Sequence, residues 1–405
     1  MNITRKDFLK RGACFTVMGG LFARVSETMA QAQEKTRVSE RSSRIRDVEV
    51  FPYSIKENIE GTTAVGNISY AENFLVRLRT ENGVVGHGEG SPFPSITAET
   101  QKSAVVMAKQ LGETLRGRDP FTIARIVADM DTFAPNNPSS KAALEMAVWD
   151  ICGKITGQPV CSLLGRYRDA FETDKTVFMG SPERMAATSR GIVNDGFKII
   201  KVKVGESPEM DTARLRAIRE AVGPNIRIRI DANQGWTPAE AVRCLRQIEK
   251  YQVEFAEQPV VYWDWVGMKF VRDNAPLPVM ADESVHVEHD AIEGIRQNAI
   301  DIINIKLMKA GGILHGMRIA EVAAAADLKC MVGCMAESKV GLTAGAHLVC
   351  AQKCILYADL DAGLFLSEEP VIGGMEIKDG IVNIPHAPGL GLDLDPAFVG
   401  RLHAA

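Results

Sequence analysis

Five residues carry the chemistry this sequence can do. Lys203, Asp231, Glu257, Asp282 and Lys306 lie in the apolar runs Val-Lys-Val, Ile-Arg-Ile-Asp, Glu-Phe-Ala-Glu, Val-Met-Ala-Asp and Ile-Asn-Ile-Lys, and successive members stand 28, 26, 25 and 24 residues apart. Three carboxylates brought together repel one another and are costly to desolvate, so such a cluster implies a bound divalent cation. Oxygen-only ligands point to magnesium, one ion per subunit. Lysines flank the acids on both sides. Lys201 and Lys203, two residues apart, share one face of a strand, and Lys306 arrives from the opposite side. That arrangement suits moving a proton at a carbon next to a carboxylate. The metal chelates the substrate carboxylate and stabilises the enediolate, a lysine takes the proton, and Lys201 lowers the pKa of Lys203 by like-charge proximity.

A spacing of 24 to 28 residues is one strand, one helix and two short loops. The repeat predicts βα units, and a parallel β/α barrel opens the C-terminal ends of its strands onto one pocket. The first strand is expected within Asp174–Gly180, the lysine pair on the second, Lys306 at the end of the sixth, and Lys329–Gly333 as the seventh. Before the barrel the pattern changes to Val48-Glu-Val-Phe, Asn73 to Thr80 and Val84 to Gly90 with a Glu-Asn-Gly turn, followed by helical periodicity over 97–134 and 139–154. Strands followed by helices predict a separate α+β unit.

The runs Lys201-Val-Lys-Val-Gly205, Asp231-Ala-Asn-Gln-Gly-Trp236, Glu257-Gln-Pro259, Ala281-Asp-Glu-Ser284 and Asn304-Ile-Lys-Leu-Met-Lys-Ala-Gly-Gly312 resemble the enolase superfamily, muconate lactonizing subgroup, from about Val48 nearly to the end. The resemblance implies an α/β fold: a (β/α)7β-type modified TIM barrel with an α+β capping domain built from the N-terminal segment and the C-terminal tail. The expected division is an export signal over 1–32, a linker over 33–44, the cap over 45–165, the barrel over 166–366, and a C-terminal segment returning to the cap over 367–405. Asp231, Glu257 and Asp282 are then the metal ligands, Lys203 and Lys306 the proton-transfer pair, and Asn233 and Glu283 support the ligands.

Tyr357-Ala-Asp-Leu-Asp-Ala-Gly363 resembles the Asp-x-Asp of the dipeptide epimerases, where the two acids hold the α-ammonium of the dipeptide. Asp359 and Asp361 take that place here, with Thr176 as a pocket threonine. The implied activity is a magnesium-dependent epimerisation at the α-carbon of the C-terminal residue of a dipeptide. Within enzymes the alternative is an N-acylamino acid racemase or o-succinylbenzoate synthase-like activity. From another class, an exported, non-catalytic binding protein on the same fold stays open. The segment Ser54–Tyr70 is expected as a loop over the barrel mouth that selects the substrate side chain. It carries Glu57 and Glu60 and, apart from Lys56 at its edge, no basic residue, which disfavours an acidic second residue and leaves apolar or cationic ones.

The first thirty residues have another purpose. Thr4-Arg-Lys-Asp-Phe-Leu-Lys10 is basic, Ala13–Phe22 is small and apolar, and Ala30-Gln-Ala32 resembles a cleavage site. This predicts a twin-arginine-like export signal, with Lys6 in place of the second arginine, and a bacterial periplasmic location where murein-derived dipeptides occur. The 405 residues carry a net charge of −4 and no basic cluster, which excludes nucleic acid as a partner, and no run after the signal is long enough to span a membrane. Assembly into a homo-oligomer is left open. Beyond Cys14, seven scattered cysteines, an odd number, read as buried small hydrophobes and not as a disulfide framework.

Overall fold

The computed structural model describes residues 43–64 and 66–403, so the export signal and most of the expected linker lie outside the described residues. Three antiparallel strands begin it, β1 (Ile45–Thr63), β2 (Gly66–Thr80) and β3 (Val85–Gly90), in that order across the sheet. The segment expected as a loop is a continuation of β1 and β2 into a long ribbon, with one break in register between Lys56 and Gly61. The reason is visible in the chain. Phe51, Tyr53, Ile55 and Glu57 point inward while Pro52, Ser54, Lys56 and Asn58 are exposed, a period of two that a loop would not keep.

Against this sheet lie α1 (Gln101–Leu115), α2 (Ile123–Phe133) and α3 (Pro138–Thr156). The helical stretch expected over 97–134 is therefore interrupted, at Gly117 with its positive φ and at Pro120. Helix α3 sits so close to β3 that a Cβ at Gly88 would run into the carbonyl oxygen of Ala143.

After the short β4 (Ala170–Glu172) come eight parallel strands: β5 (Lys175–Val177), β6 (Ile199–Lys203), β7 (Arg227–Asp231), β8 (Val253–Glu257), β9 (Val279–Ala281), β10 (Ile302–Ile305), β11 (Lys329–Val332) and β12 (Ile355–Ala358). They pair in sequence order. Between them run α4 (Pro182–Asn194), α5 (Pro208–Val222), α6 (Pro238–Ile248), α7 (Trp265–Asn274), α8 (Glu288–Arg296), α9 (Ile313–Ala325) and α10 (Lys339–Ala351). Three successive helices start the same way. Ser181, Ser207 and Thr237 accept from the backbone N–H of Arg184, Met210 and Glu240, each followed by a proline whose missing N–H costs nothing in the first turn.

Ladder hydrogen bonding is continuous from β5 to β12 but, among the described residues, no ladder joins those two strands to each other. The seam closes through single bonds: Asp174 N–H to Ala358 O at 3.4 Å, Leu360 N–H to Thr173 Oγ1 at 3.0 Å, and Thr176 N–H to Asp361 Oδ2 at 2.6 Å. Inside the lower barrel, Phe255, Met280, Ile302 and Met331 form a plug with Tyr357, and the Arg229 guanidinium lies 5.4 and 5.0 Å from the Phe255 and Tyr357 ring centres.

The last strands are β13 (Val371–Gly373), β14 (Glu376–Lys378), β15 (Ile381–Asn383) and β16 (Leu392–Leu394). The β14–β15 hairpin, within the segment expected to return to the cap, pairs instead with β4. The return is made by the helix Pro396–His403, whose Phe398 ring stands edge-on to Tyr53 at 5.5 Å. No helix among the described residues is long and apolar enough to cross a membrane.

Candidate active site

Register delivers the five groups to one level. Lys203, Asp231 and Glu257 are direct Cα partners across β6, β7 and β8; Asp282 follows the end of β9 and Lys306 the end of β10. The three acids are completely buried. Lys203 Nζ lies 2.7 Å and Lys201 Nζ 3.1 Å from the same oxygen, Asp231 Oδ2, while Lys306 Nζ lies 2.7 Å from Asp282 Oδ2. The two lysine faces expected from the sequence thus stand on opposite sides of the carboxylates.

Lys201 differs from the other two. Its Nζ also contacts Glu257 at 2.8 Å and Asp359 at 2.6 Å, and it lies beneath the cavity without lining it. Burial opposes its charge, but the three acids outweigh burial and hold the ammonium well above the ordinary lysine range. It therefore works as a fixed positive charge at the floor. Burial likewise penalises charge at Lys306 and at Asp282, yet their mutual attraction raises the lysine and lowers the acid. Glu257 is the exception among the ligand candidates: burial, helped by Asp231, pushes its carboxyl up to about 8.

These residues fit a hard divalent cation. Asn304 Nδ2 donates to Glu257 Oε1 at 2.6 Å and the backbone N–H of Asn233 donates to Asp231 Oδ1 at 2.9 Å, so one oxygen of each of these two acids is held in place. The buried Glu257 Oε2 and both Asp282 oxygens have no neutral donor and face only ammonium groups, Lys201 at 2.8 Å, Lys306 at 2.7 Å and Lys309 at 2.6 Å. Buried carboxylate oxygens matched only by cationic groups suit an oxygen-liganded Mg2+. Each acid is meanwhile neutralised by a lysine, and the group of three ligand atoms that closes within 4.8 Å among the described residues is a different one: Cys334, Asp359 and Asp361.

At the seam, Asp359 is taken up by Lys201, whereas Asp361 accepts from the Thr176 N–H. Burial and the neighbouring Asp359 raise Asp361 to about 7. Both acids lie past the end of β12, and with Thr176, Lys203, Lys306 and Cys334 they line a small cavity under the β1–β2 ribbon. Phe178 and Phe365 form one wall with ring centres 5.2 Å apart. Asn233 reaches Glu283 through Nδ2 at 3.1 Å, behind the acids. A larger cleft of about 1020 Å³ opens on the flank between cap and barrel; it reaches Glu283 and Lys309 but neither Lys203 nor Lys306.

Residues 184–398 match the enolase C-terminal domain-like family, and residues 46–165 match the mandelate racemase/muconate lactonizing enzyme N-terminal domain. The chain belongs to the enolase superfamily. Among its relatives in this superfamily, it is 40% identical to a hydrophobic dipeptide epimerase of Enterococcus faecalis, over 86% of this chain and 99% of that one. It is 37% identical to an L-Ala-D/L-Glu epimerase of Clostridium acetobutylicum, over 86% and 98%. A crystal structure of dipeptide epimerase from Cytophaga hutchinsonii, complexed with Mg and D-Ala-L-Val, superposes with a TM-score of 0.86 at 35% identity, over 88% of this chain and 98% of that one.

Several residues of this superfamily site escape a reading by strand period. Lys309 is fully buried and touches Asp282 through its carboxylate at 2.6 Å and its carbonyl, as well as the carbonyls of Val285 and Asn304. Arg229 pairs with Asp174 at 2.8 Å and Glu254 at 2.9 Å, setting a positive charge below the acids. Its position was available in Arg-Ile-Asp231, since a residue two before a pocket acid faces the same interior. Glu89, at the end of β3, ties cap to barrel: Tyr53 Oη donates to it, as do Asn73 Nδ2, the Ser338 N–H and hydroxyl, and the Gly341 N–H, these four at 2.9 Å.

Proposed function

We propose that this protein is a magnesium-dependent dipeptide epimerase, an isomerase that exchanges the α-proton of the C-terminal residue of a dipeptide. The observation that carries the reading is the pair Lys203 and Lys306 lining one cavity from opposite sides of three buried acids, with Asp359 and Asp361 lining the same cavity. Asp231, Glu257 and Asp282 hold the metal. Bound there, Mg2+ supplies positive charge against the substrate carboxylate and against the charge that builds on it as the α-proton leaves. Lys203 removes or returns that proton on one face of the carbon and Lys306 on the other, so the two lysines exchange roles with the configuration of the substrate. Lys201 keeps Asp231, Glu257 and Asp359 in position from below. Asp361, fixed by Thr176, and Asp359 attract the α-ammonium and place the dipeptide. Asn233, Glu283 and Lys309 fix the acids from behind. The segment 1–32 directs export to the periplasm, where short murein-derived peptides are the substrates at hand.

The purified chain is incubated with Mg2+ in deuterated water with a panel of L,L-dipeptides, following mass and configuration. Deuterium gain with inversion at the second residue is expected, and chelation abolishes it until Mg2+ is restored. Lys203→Ala removes exchange from one configuration by at least about a hundredfold while the fold is retained; full activity in both directions sinks the assignment. Exchange with N-acylamino acids but with no dipeptide moves the protein to the racemase alternative.

A further inference from the structure

The inward row of β1 runs Phe51, Tyr53, Ile55 and then Glu57, so a strand face that is apolar for three positions ends in a carboxylate. Glu57 is 8% exposed and lines the same cavity as the lysine pair. No side-chain hydrogen bond or ion pair reaches its carboxylate among the described residues, although its backbone is pinned to the barrel by bridging to Leu366. Burial pushes the carboxyl up to about 7, the behaviour of an acid lacking a counter-charge. The apolar part of that cavity's wall is Phe178, Phe365, Phe93 and Ile96, beside the polar part that carries the lysine pair, Asp359 and Asp361. The ribbon is packed tightly on that wall, because a Cβ at Gly61 would stand 2.8 Å from the Phe178 ring.

A buried carboxylate is rarely kept without a partner. The other acids of the site are accounted for: Asp359 by Lys201, Asp361 by Thr176, and Asp231 and Asp282 by lysines. Among these pocket acids of the described residues, Glu57 alone has neither an ion pair nor a hydrogen bond on its carboxylate. Resting on the dipeptide reading above, we propose that Glu57 is the counter-charge for a cationic side chain of the substrate, so that the enzyme selects dipeptides carrying lysine or arginine. The aliphatic stem of such a residue packs on Phe178 and Phe365, whose faces also favour a cation, and the ammonium or guanidinium reaches Glu57. An acidic side chain is repelled there. An apolar one leaves the carboxylate buried and unpaired.

The test uses the full chain with Mg2+ in deuterated water and the peptides Ala-X and X-Ala, with X as Lys, Arg, Leu or Glu. At one of the two positions, Lys and Arg peptides are expected to exceed their Leu and Glu counterparts at least tenfold in kcat/KM, mainly through KM. Glu57→Gln shrinks the ratio of cationic to apolar peptides by about 10- to 100-fold, and Glu57→Lys turns the preference toward Glu peptides. A role confined to packing would change all peptides together, so an unchanged ratio in Glu57→Gln overturns the assignment. So does a wild-type panel in which Leu or Glu peptides match the cationic ones, a result that needs no variant to fold. Absence of exchange with every dipeptide overturns the epimerase reading beneath it.

Discussion

Two sites of buried acid in this molecule are built on opposite plans. At the cap-to-barrel joint, a single carboxylate, Glu89, collects donors from Tyr53, Asn73, Ser338 and Gly341 until both its oxygens are occupied. At the barrel mouth, Asp231, Glu257 and Asp282 stand beside Lys201, Lys203, Lys306 and Lys309, and three of their oxygens meet ammonium groups and no neutral donor. The first plan spends donors on one acid and fixes two regions to each other. The second gives its acceptors ammonium groups, which share them with a bound cation. The kind of partner, neutral donor or charged group, separates an acid that holds the fold from acids that await a ligand.

The sharpest way to break this contrast is at Lys306. Lys306→Ala should slow exchange from the configuration opposite to that affected by Lys203→Ala by roughly 10²- to 10⁴-fold, measured as deuterium incorporation from each separate diastereomer. Equal losses from both configurations would mean that the two lysines do not act on opposite faces. Glu89→Gln tests the other cluster. It turns an amide NH2 toward N–H groups that can only donate, on either side of the carboxylate, and should cost about 2–4 kcal/mol in urea unfolding while kcat of the folded enzyme changes little. A collapse of kcat at unchanged stability would erase the distinction.

A smaller effect is expected on the flank, where His315 joins the cap to the barrel through Asp131 on α2 and Glu288 on α8, both at 3.0 Å. Hydrogen bonding to Asp131, against the opposing effect of burial, raises the imidazole above its ordinary value. The folded state therefore binds its proton more tightly than the unfolded chain. The stabilisation is complete below about pH 6.5 and is lost as pH rises through the folded value. His315→Gln should lower stability by roughly 1 kcal/mol at pH 5.5 and by less at pH 9; a constant difference in melting temperature would rule out a protonated bridge.

The barrel and its five convergent groups were legible because each strand ends in a chemically unusual residue and the repeat is almost constant. Lys309 was not, since it sits on the short turn Leu307–Ala310, where no strand alternation gives its direction. Glu89 could not be read either. Its donors come from Tyr53, Asn73 and the segment Ser338–Gly341, and only the closed fold brings those together. Glu57 is the instructive case. Its inward direction follows from Phe51, Tyr53 and Ile55, but reading 54–70 as a loop discarded the alternation that would have placed it in the cavity. Within the C-terminal segment expected to return to the cap, the β14–β15 hairpin pairs elsewhere, and its partner β4 is three residues long and leaves almost no pattern in the chain.

The seam between β5 and β12 has one more consequence. Lys203, Asp231 and Glu257 stand in ladder register with one another, and Asp282 and Lys306 directly follow laddered strands, so displacing any of them strains main-chain bonds to the neighbouring strands. Thr176, Asp359 and Asp361 border the one gap in that ladder. Changes there disturb few backbone bonds, which gives descendants of this enzyme inexpensive freedom to explore new substrates while the chemistry stays locked in place.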